Sequence, residues 1–270
     1  MPRILMCRPD FYGIKYEINP WMRTRRGTDP AKSAAQWESL YQLLTRKLDA
    51  AVELIAPSPD WPDMVFTANA GLAVGQRFIA SNFRYPQRAG EQPLYRQWFA
   101  EHGYATIALP PGQCFEGEGD ALWADTGSPD RTLIAGYHFR SDLDSHRLLA
   151  EVLGCRIVSV ELIDTRFYHL DTCFAPLGER SAVWFPPAFD DYGRRAIREV
   201  FTDLVELDEP EAARFAANAV VIGKSVVVNS GSPKLAEQLA RRGFAVFDLD
   251  LSEFLKAGGA AKCLTLFLER

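Results

Sequence analysis

No stretch of this 270-residue chain stays apolar long enough to span a bilayer. Its first residues, Met1-Pro2-Arg3-Ile4-Leu5-Met6-Cys7-Arg8, lack the apolar run of a signal peptide. An excess of base is missing too. The 30 Lys and Arg are outnumbered by 35 Asp and Glu, for a net charge of -5, and a nucleic-acid surface would need a basic stripe. Cysteines are few: Cys7, Cys114, Cys155, Cys173 and Cys263 are an odd, widely spaced set without a CxxC pair, which removes support for a zinc or disulfide-exchange site. Without an export signal, reduced thiols in the cytoplasm are expected. The Gly258-Gly259 pair opens no helix with a Lys-Ser/Thr start, so it is not a phosphate loop. No linker or low-complexity segment interrupts the chain, so one domain over 1–270 is expected. With 47% hydrophobic residues it can build a sizeable core.

What is present is a repeat. Apolar runs flank short turns at Gly75-Gln76, Gly127-Ser128-Pro129-Asp130, Gly178-Glu179-Arg180 and Gly223-Lys224, which is the hairpin signal. A helical stretch follows each hairpin, roughly over 92–102, 142–153, 190–201 and 233–242, with starts at Ser141-Asp142 and Ser232-Pro233. A short apolar strand follows each helix. The period is roughly 45 to 55 residues. A fifth unit forms if the chain closes on itself, with 263–268 and 4–7 as its hairpin, 33–48 as its helix and 51–55 as its last strand. The expectation is a ring of five hairpin–helix–strand units, with the first strand of each facing the centre.

The chemistry-bearing residues cluster at the starts of those first strands. Cys263 lies in the small-residue loop Lys256-Ala257-Gly258-Gly259-Ala260-Ala261-Lys262-Cys263, and Lys262 beside it is expected to favour the thiolate. His169 and Asp171 stand two apart in Phe167-Tyr168-His169-Leu170-Asp171-Thr172, a spacing that points both side chains the same way if the segment is a strand. Acidic groups crowd Phe115-Glu116-Gly117-Glu118-Gly119-Asp120, and Asp63 and Asn69 flank Phe66 in the first unit. A cysteine, a histidine and carboxylates on separate segments are the components of covalent thiol catalysis. Taken singly, Cys7, Cys155 and Cys173 read as small buried hydrophobes, and His102, His138 and His146 as surface or loop residues.

These motifs resemble the guanidino-group-modifying superfamily of arginine deiminases, arginine dihydrolases, dimethylarginine dimethylaminohydrolases and amidinotransferases. The resemblance rests on Trp61 to Ala70, Phe115 to Leu122, Phe167 to Thr172 and Phe254 to Leu266. It runs over essentially the whole chain and is nearest to the arginine dihydrolase domains, which share Ile18-Asn19-Pro20-Trp21-Met22. It implies a five-bladed α/β-propeller of ββαβ repeats. It also implies Cys263 as nucleophile, His169 as acid and base, and Glu116 as catalytic carboxylate, with Glu118 favoured in a different register and otherwise placed among the substrate contacts. Asp171 and Asp63 match guanidinium contacts, and Arg140 a cation for the substrate α-carboxylate. Phe66, Asn69 and Asn19 would shape the pocket, an amide at 69 resembling the dihydrolases.

The activity so implied is hydrolysis of a carbon–nitrogen bond in arginine, with an N-methylated arginine as the alternative substrate. It needs no metal and no organic cofactor. A reading of another class is a non-catalytic arginine sensor, which has no need of a nucleophile. Neither a nucleic acid nor a membrane is expected as partner, and the sequence is compatible with a homo-oligomer. Aromatic and basic residues in Phe11 to Arg26 suggest a lid.

Overall fold

The computed structural model describes residues 1–124, 131–178 and 180–269. Its strands are β1 (Arg3–Cys7), β2 (Ala51–Ile55), β3 (Gly71–Val74), β4 (Arg77–Ala80), β5 (Ala105–Ile107), β6 (Ala121–Ala124), β7 (Thr132–Tyr137), β8 (Arg156–Glu161), β9 (Phe174–Gly178), β10 (Ser181–Trp184), β11 (Asp203–Glu206), β12 (Val220–Ile222), β13 (Ser225–Asn229), β14 (Ala245–Leu249) and β15 (Leu266–Glu269). They form five three-stranded sheets. In each, the first two strands pair antiparallel and the second and third pair parallel, as in β3–β4–β5, where Gly71 faces Ala80 and Arg77 faces Ala105. The fifth sheet joins the two ends of the chain: β15 runs antiparallel to β1, and β1 parallel to β2. The turn expected at Gly127 to Asp130 lies outside the described residues, as does Glu179 of another.

A parallel pair needs a crossover long enough for a helix, and each sheet has one. Residues 30–42 begin with Pro30 behind an Asp29 cap that accepts from the Lys32 N–H. Asp190 caps 191–200 in the same way through the Gly193 N–H. Residues 143–153 end at Gly154 in the left-handed region. The remaining crossovers are 91–101 and 233–241. Helices cover the outer strands while first strands such as β3 and β9 are almost wholly buried.

Three expectations are corrected. Residues 62–70 and 170–172 are 3₁₀ turns rather than strand extensions, because the partner strands are only four residues long and leave these segments without a ladder. His146 is buried, with its ring nitrogens on Ser159 Oγ and the Gly136 carbonyl. Cys155 is only half-buried.

Candidate active site

The tight turns that lead into the first strands carry the site. Residues 62–65 and 67–70 form successive turns about Phe66. Side chains three apart eclipse in 3₁₀ geometry, so Asp63, Phe66 and Asn69 share a side, and all three line one small cavity. Cys263, Arg140, Arg88 and Tyr168 complete its wall with Ile18, Asn19 and Met22. The N-terminal segment crosses this cavity and is pinned there. The Tyr16 hydroxyl donates to Asp63 (2.9 Å), Asn19 Nδ2 to the Ala257 carbonyl (3.0 Å), and Trp21 Nε1 to the Arg166 carbonyl (2.7 Å).

Glu116 is fully buried and heavily engaged. Its Oε2 accepts from His169 Nε2 (2.8 Å) and from Arg140 Nη1 (3.0 Å), while Oε1 accepts from the Arg84 N–H (3.2 Å). Burial pushes its carboxyl up, but the Arg140 guanidinium and the His169 bond outweigh that and hold it below the usual carboxylate range. Gly117, at φ +62°, redirects the chain at once, and its Cα faces the Ala68 carbonyl and Gly71 backbone so closely that a Cβ would meet both at 2.6 Å. Glu118 therefore points away from the cavity. Expected among the substrate contacts, it instead accepts from Lys262 Nζ (2.9 Å) and the Phe267 N–H (3.1 Å).

Lys262 differs from expectation in the same way. Its ammonium turns from the sulfur toward Glu118 and the Thr265 carbonyl. Cys263, 2% exposed, meets Asp171 Oδ2 at 3.3 Å and accepts from Asn218 Nδ2 at 3.1 Å. Burial and the Asp171 charge push the thiol up, while the Ala260 N–H and the Asn218 amide pull it down more weakly. Asp171 is itself pushed up to about 7 by burial, against the pull of the Lys262 ammonium and the Cys263 thiol. His169 and Asp171 thus serve different partners, carboxylate and sulfur, because the turn at 170–172 separates their directions.

Arg140, expected on a substrate carboxylate, is spent largely on Glu116 and the Ile18 carbonyl (3.0 Å), its guanidinium held between the Tyr85 and Tyr168 rings. A carboxylate buried this deeply requires a paired cation. Asp63 is pushed up by burial, against the pull of Arg88 and the Tyr16 hydroxyl. Asn69 Oδ1 accepts from Arg88 Nη1 (2.7 Å), and Arg88 is clamped in turn by Glu91 at 2.7 and 2.8 Å.

Two buried polar atoms here have no partner, Asn69 Nδ2 and Asp171 Oδ1. Unsatisfied buried groups are uncommon and mark functional sites when they cluster. Asn69 lines the same cavity as Cys263, and Asp171 meets the Cys263 sulfur through its other oxygen. Sequence reasoning brings Asn218 to the centre with the other strand starts but gives it no role, and Arg88 is the residue it missed. Asn218 stands just before β12, the position that His169 and Cys263 occupy before their own strands, and that parallel was its signal. Arg88–Glu91 looks in sequence like an ordinary surface i,i+3 pair.

A buried thiol facing a carboxylate, with a buried histidine–glutamate pair on a neighbouring turn, is a set of groups suited to covalent thiol chemistry. The chain is 39% identical over 264 residues to the N(G),N(G)-dimethylarginine dimethylaminohydrolase of Mycobacterium tuberculosis, covering 98% of this chain and 85% of that protein. It therefore belongs to the guanidino-group-modifying, or pentein, superfamily. It is also 48% identical over 267 residues to the bifunctional arginine dihydrolase/ornithine cyclodeaminase ArgZ of Synechocystis sp.. That match covers 98% of this chain, which spans only 37% of the length of ArgZ and of its Nostoc counterpart AgrE. The crystal structure of the N-terminal domain of ArgZ, a cysteine-to-serine variant bound to substrate, superposes with a TM-score of 0.94 at 44% identity, covering 100% of this chain and 99% of that one. No family profile matches the chain.

Proposed function

We propose that the protein is an arginine dihydrolase, converting arginine with two waters to ornithine, carbon dioxide and two ammonia. The guanidinium binds between Asp63 and Asp171, carboxylates suited to its N–H fork. Its positive charge offsets the burial that holds Cys263 as a thiol, so binding itself promotes the thiolate. The sulfur attacks the central carbon, a terminal nitrogen takes a proton from His169, and its carbon–nitrogen bond breaks to release ammonia. His169 then deprotonates a water that displaces the sulfur, leaving citrulline. In a second cycle the sulfur attacks the ureido carbon and expels the second ammonia. Water then releases a carbamate, which loses carbon dioxide to give ornithine. Glu116 orients His169 and stabilises its cationic form. The sequence so written consumes only water.

The observation that carries the dihydrolase reading is the unpartnered Asn69 Nδ2. A guanidinium is all donors and has little use for another. The ureido group of the second cycle has an oxygen that gains negative charge on attack, and a buried amide donor fits it. The methylarginine reading draws on the 39% identity to the mycobacterial enzyme. Product analysis by mass spectrometry decides between them. Ornithine with two equivalents of ammonia from L-arginine supports the dihydrolase. Citrulline with dimethylamine from asymmetric dimethylarginine, and arginine untouched, supports the alternative.

Several coarser features go with this reading. The five sheets act as the blades of a propeller around the site, the chain functions as one catalytic domain, and the amino acid's α-carboxylate lies toward Arg88 and Arg140. Action in the cytoplasm is part of the same proposal; among the described residues no helix is long and apolar enough to cross a membrane.

A further inference from the structure

The Asn218 carboxamide has two acceptor lone pairs and two N–H donors, and the structure uses all four. Oδ1 accepts from the Ala260 N–H (3.0 Å) and the Cys263 N–H (3.1 Å). Nδ2 donates to the Asp171 carbonyl (3.0 Å) and to Cys263 Sγ (3.1 Å). The orientation of this amide is therefore not a matter of choice. Two backbone donors demand the oxygen on one side and a carbonyl demands the nitrogen on the other, which leaves an N–H on the sulfur. Asn218 is wholly buried, so the geometry is not shared with solvent.

The charges around the sulfur give that donor its importance. Asp171, Tyr168 and Asp63 face it from the turns before β9 and β3, with Arg88 and Arg140 farther along the cavity wall. Lys262, the adjoining residue, is turned to Glu118. No cation of the protein is in contact with Sγ among the described residues, and the thiol's own hydrogen is directed at Asp171. The Asn218 N–H is the side-chain donor that the fold supplies to the sulfur anion, and hydrogen bonds to an ionised acceptor are the strong ones.

We propose that Asn218 is a catalytic residue, the neutral donor that holds the Cys263 sulfur in line for attack and stabilises its anion before the nucleophile reaches the substrate. A neutral amide suits this position better than a cation would. A fixed Lys or Arg beside the sulfur would repel the incoming guanidinium, whereas an amide stabilises the thiolate at no such cost. The proposal rests on Cys263 being the nucleophile, as in the reading above, but its test does not depend on arginine turnover.

The test is the pH dependence of iodoacetamide alkylation of Cys263 in substrate-free protein, quantified on the Cys263 peptide so that the other four cysteines do not contribute. Asn218→Asp keeps an oxygen for the two backbone N–H groups and replaces the donor on sulfur with a carboxylate. Its alkylation midpoint is expected to rise by at least about one pH unit, with kcat lowered by about 10²-fold or more. Asn218→Ala removes the donor without adding charge and should shift the midpoint in the same direction by less. It also reads the effect if the aspartate variant does not fold. Midpoints equal to wild type in the folded variants overturn the proposal, whatever happens to kcat. A raised midpoint in a protein that leaves arginine untouched would sustain the proposal while the dihydrolase reading falls.

Discussion

The two ends of the first strands differ in a way that cavity size alone would misread. At the far ends of β3, β6 and β15 lies a cavity of about 310 Å³, lined by Gly75, Gln76, Trp123, Arg131 and Glu269. At the near ends the cavity is far smaller, about 10 Å³. Yet the far end is chemically settled, since Glu118 and Lys262 neutralise each other beside it and neither has a buried unpartnered atom. The near end keeps a thiol against a carboxylate, and an amide N–H and a carboxylate oxygen without partners. Function is marked by polar groups that the fold buries and leaves unsatisfied, not by volume. The same ββαβ repeat builds both ends, so the chemical difference lies in the turn residues.

The sharpest way to break the comparison is Cys263→Ser, which should lower kcat by at least about 10⁴-fold while the thermal midpoint stays within a few degrees of wild type. Glu116→Gln should follow, with a loss of about 10²–10⁴-fold in kcat, because His169 loses the charge that orients it. It should also unfold earlier, since Arg140 is left buried without its anion. Steady-state kinetics and a melting curve on each variant check both. At the other end the balance should reverse. Lys262→Met strands Glu118 and should cost about 3–5 kcal/mol of stability by urea titration, while the folded protein loses less activity than either near-end variant. Replacing both partners by apolar residues should recover much of that stability.

Much of this contrast was legible in the sequence. The hairpin, helix and strand of each unit could be read from apolar runs and Gly-containing turns, because paired strands and amphipathic helices are set by local pattern. Cys263, His169 and Glu116 were legible as a set because each stands just before a first strand. What was hidden is directional. Gly117 separates Glu116 from Glu118 by a left-handed turn, and Lys262 faces opposite to Cys263, though each pair is nearly adjacent in the chain. Side-chain direction in a 3₁₀ turn follows a period of three rather than two. The spacing of Asp63, Phe66 and Asn69 carried that information, but a strand reading masks it. The burial of Arg88 with Glu91 has no local signal at all, since only the tertiary structure removes water from that pair.

A pH series sharpens the comparison further. Asp171 is pushed up to about 7 from a usual value near 3.8, so the folded state holds its proton more tightly than the unfolded chain does. Its contribution to stability is fully present below pH 4 and is lost as pH rises through about 7. Asp120, pushed up to about 6 by burial, acts in the same direction. Wild-type protein should therefore be more stable at pH 5 than at pH 8, by an amount on the order of a few kcal/mol. In Asp171→Asn that difference should shrink, and urea titrations at the two pH values read it directly. An equal difference in both proteins would show that Asp171 is already ionised at pH 5 in the folded state.

The smallest effect belongs to the wall of the large cavity. Arg131 is exposed, its guanidinium 3.9 Å from the Trp123 ring centroid. A contact of that kind at an exposed site contributes about 0.5–1 kcal/mol. Arg131→Ala should thus change stability by no more than about 1 kcal/mol and leave kcat and KM for arginine at wild-type values, because no near-end hydrogen bond passes through it. A change of about tenfold in either constant would mean that the far cavity communicates with the site, and the division between a settled end and a reactive one would have to be given up. If both constants hold, while Glu116→Gln, a single-atom change at the smaller cavity, removes most of the activity, the larger cavity is a by-product of five units that meet at their turns.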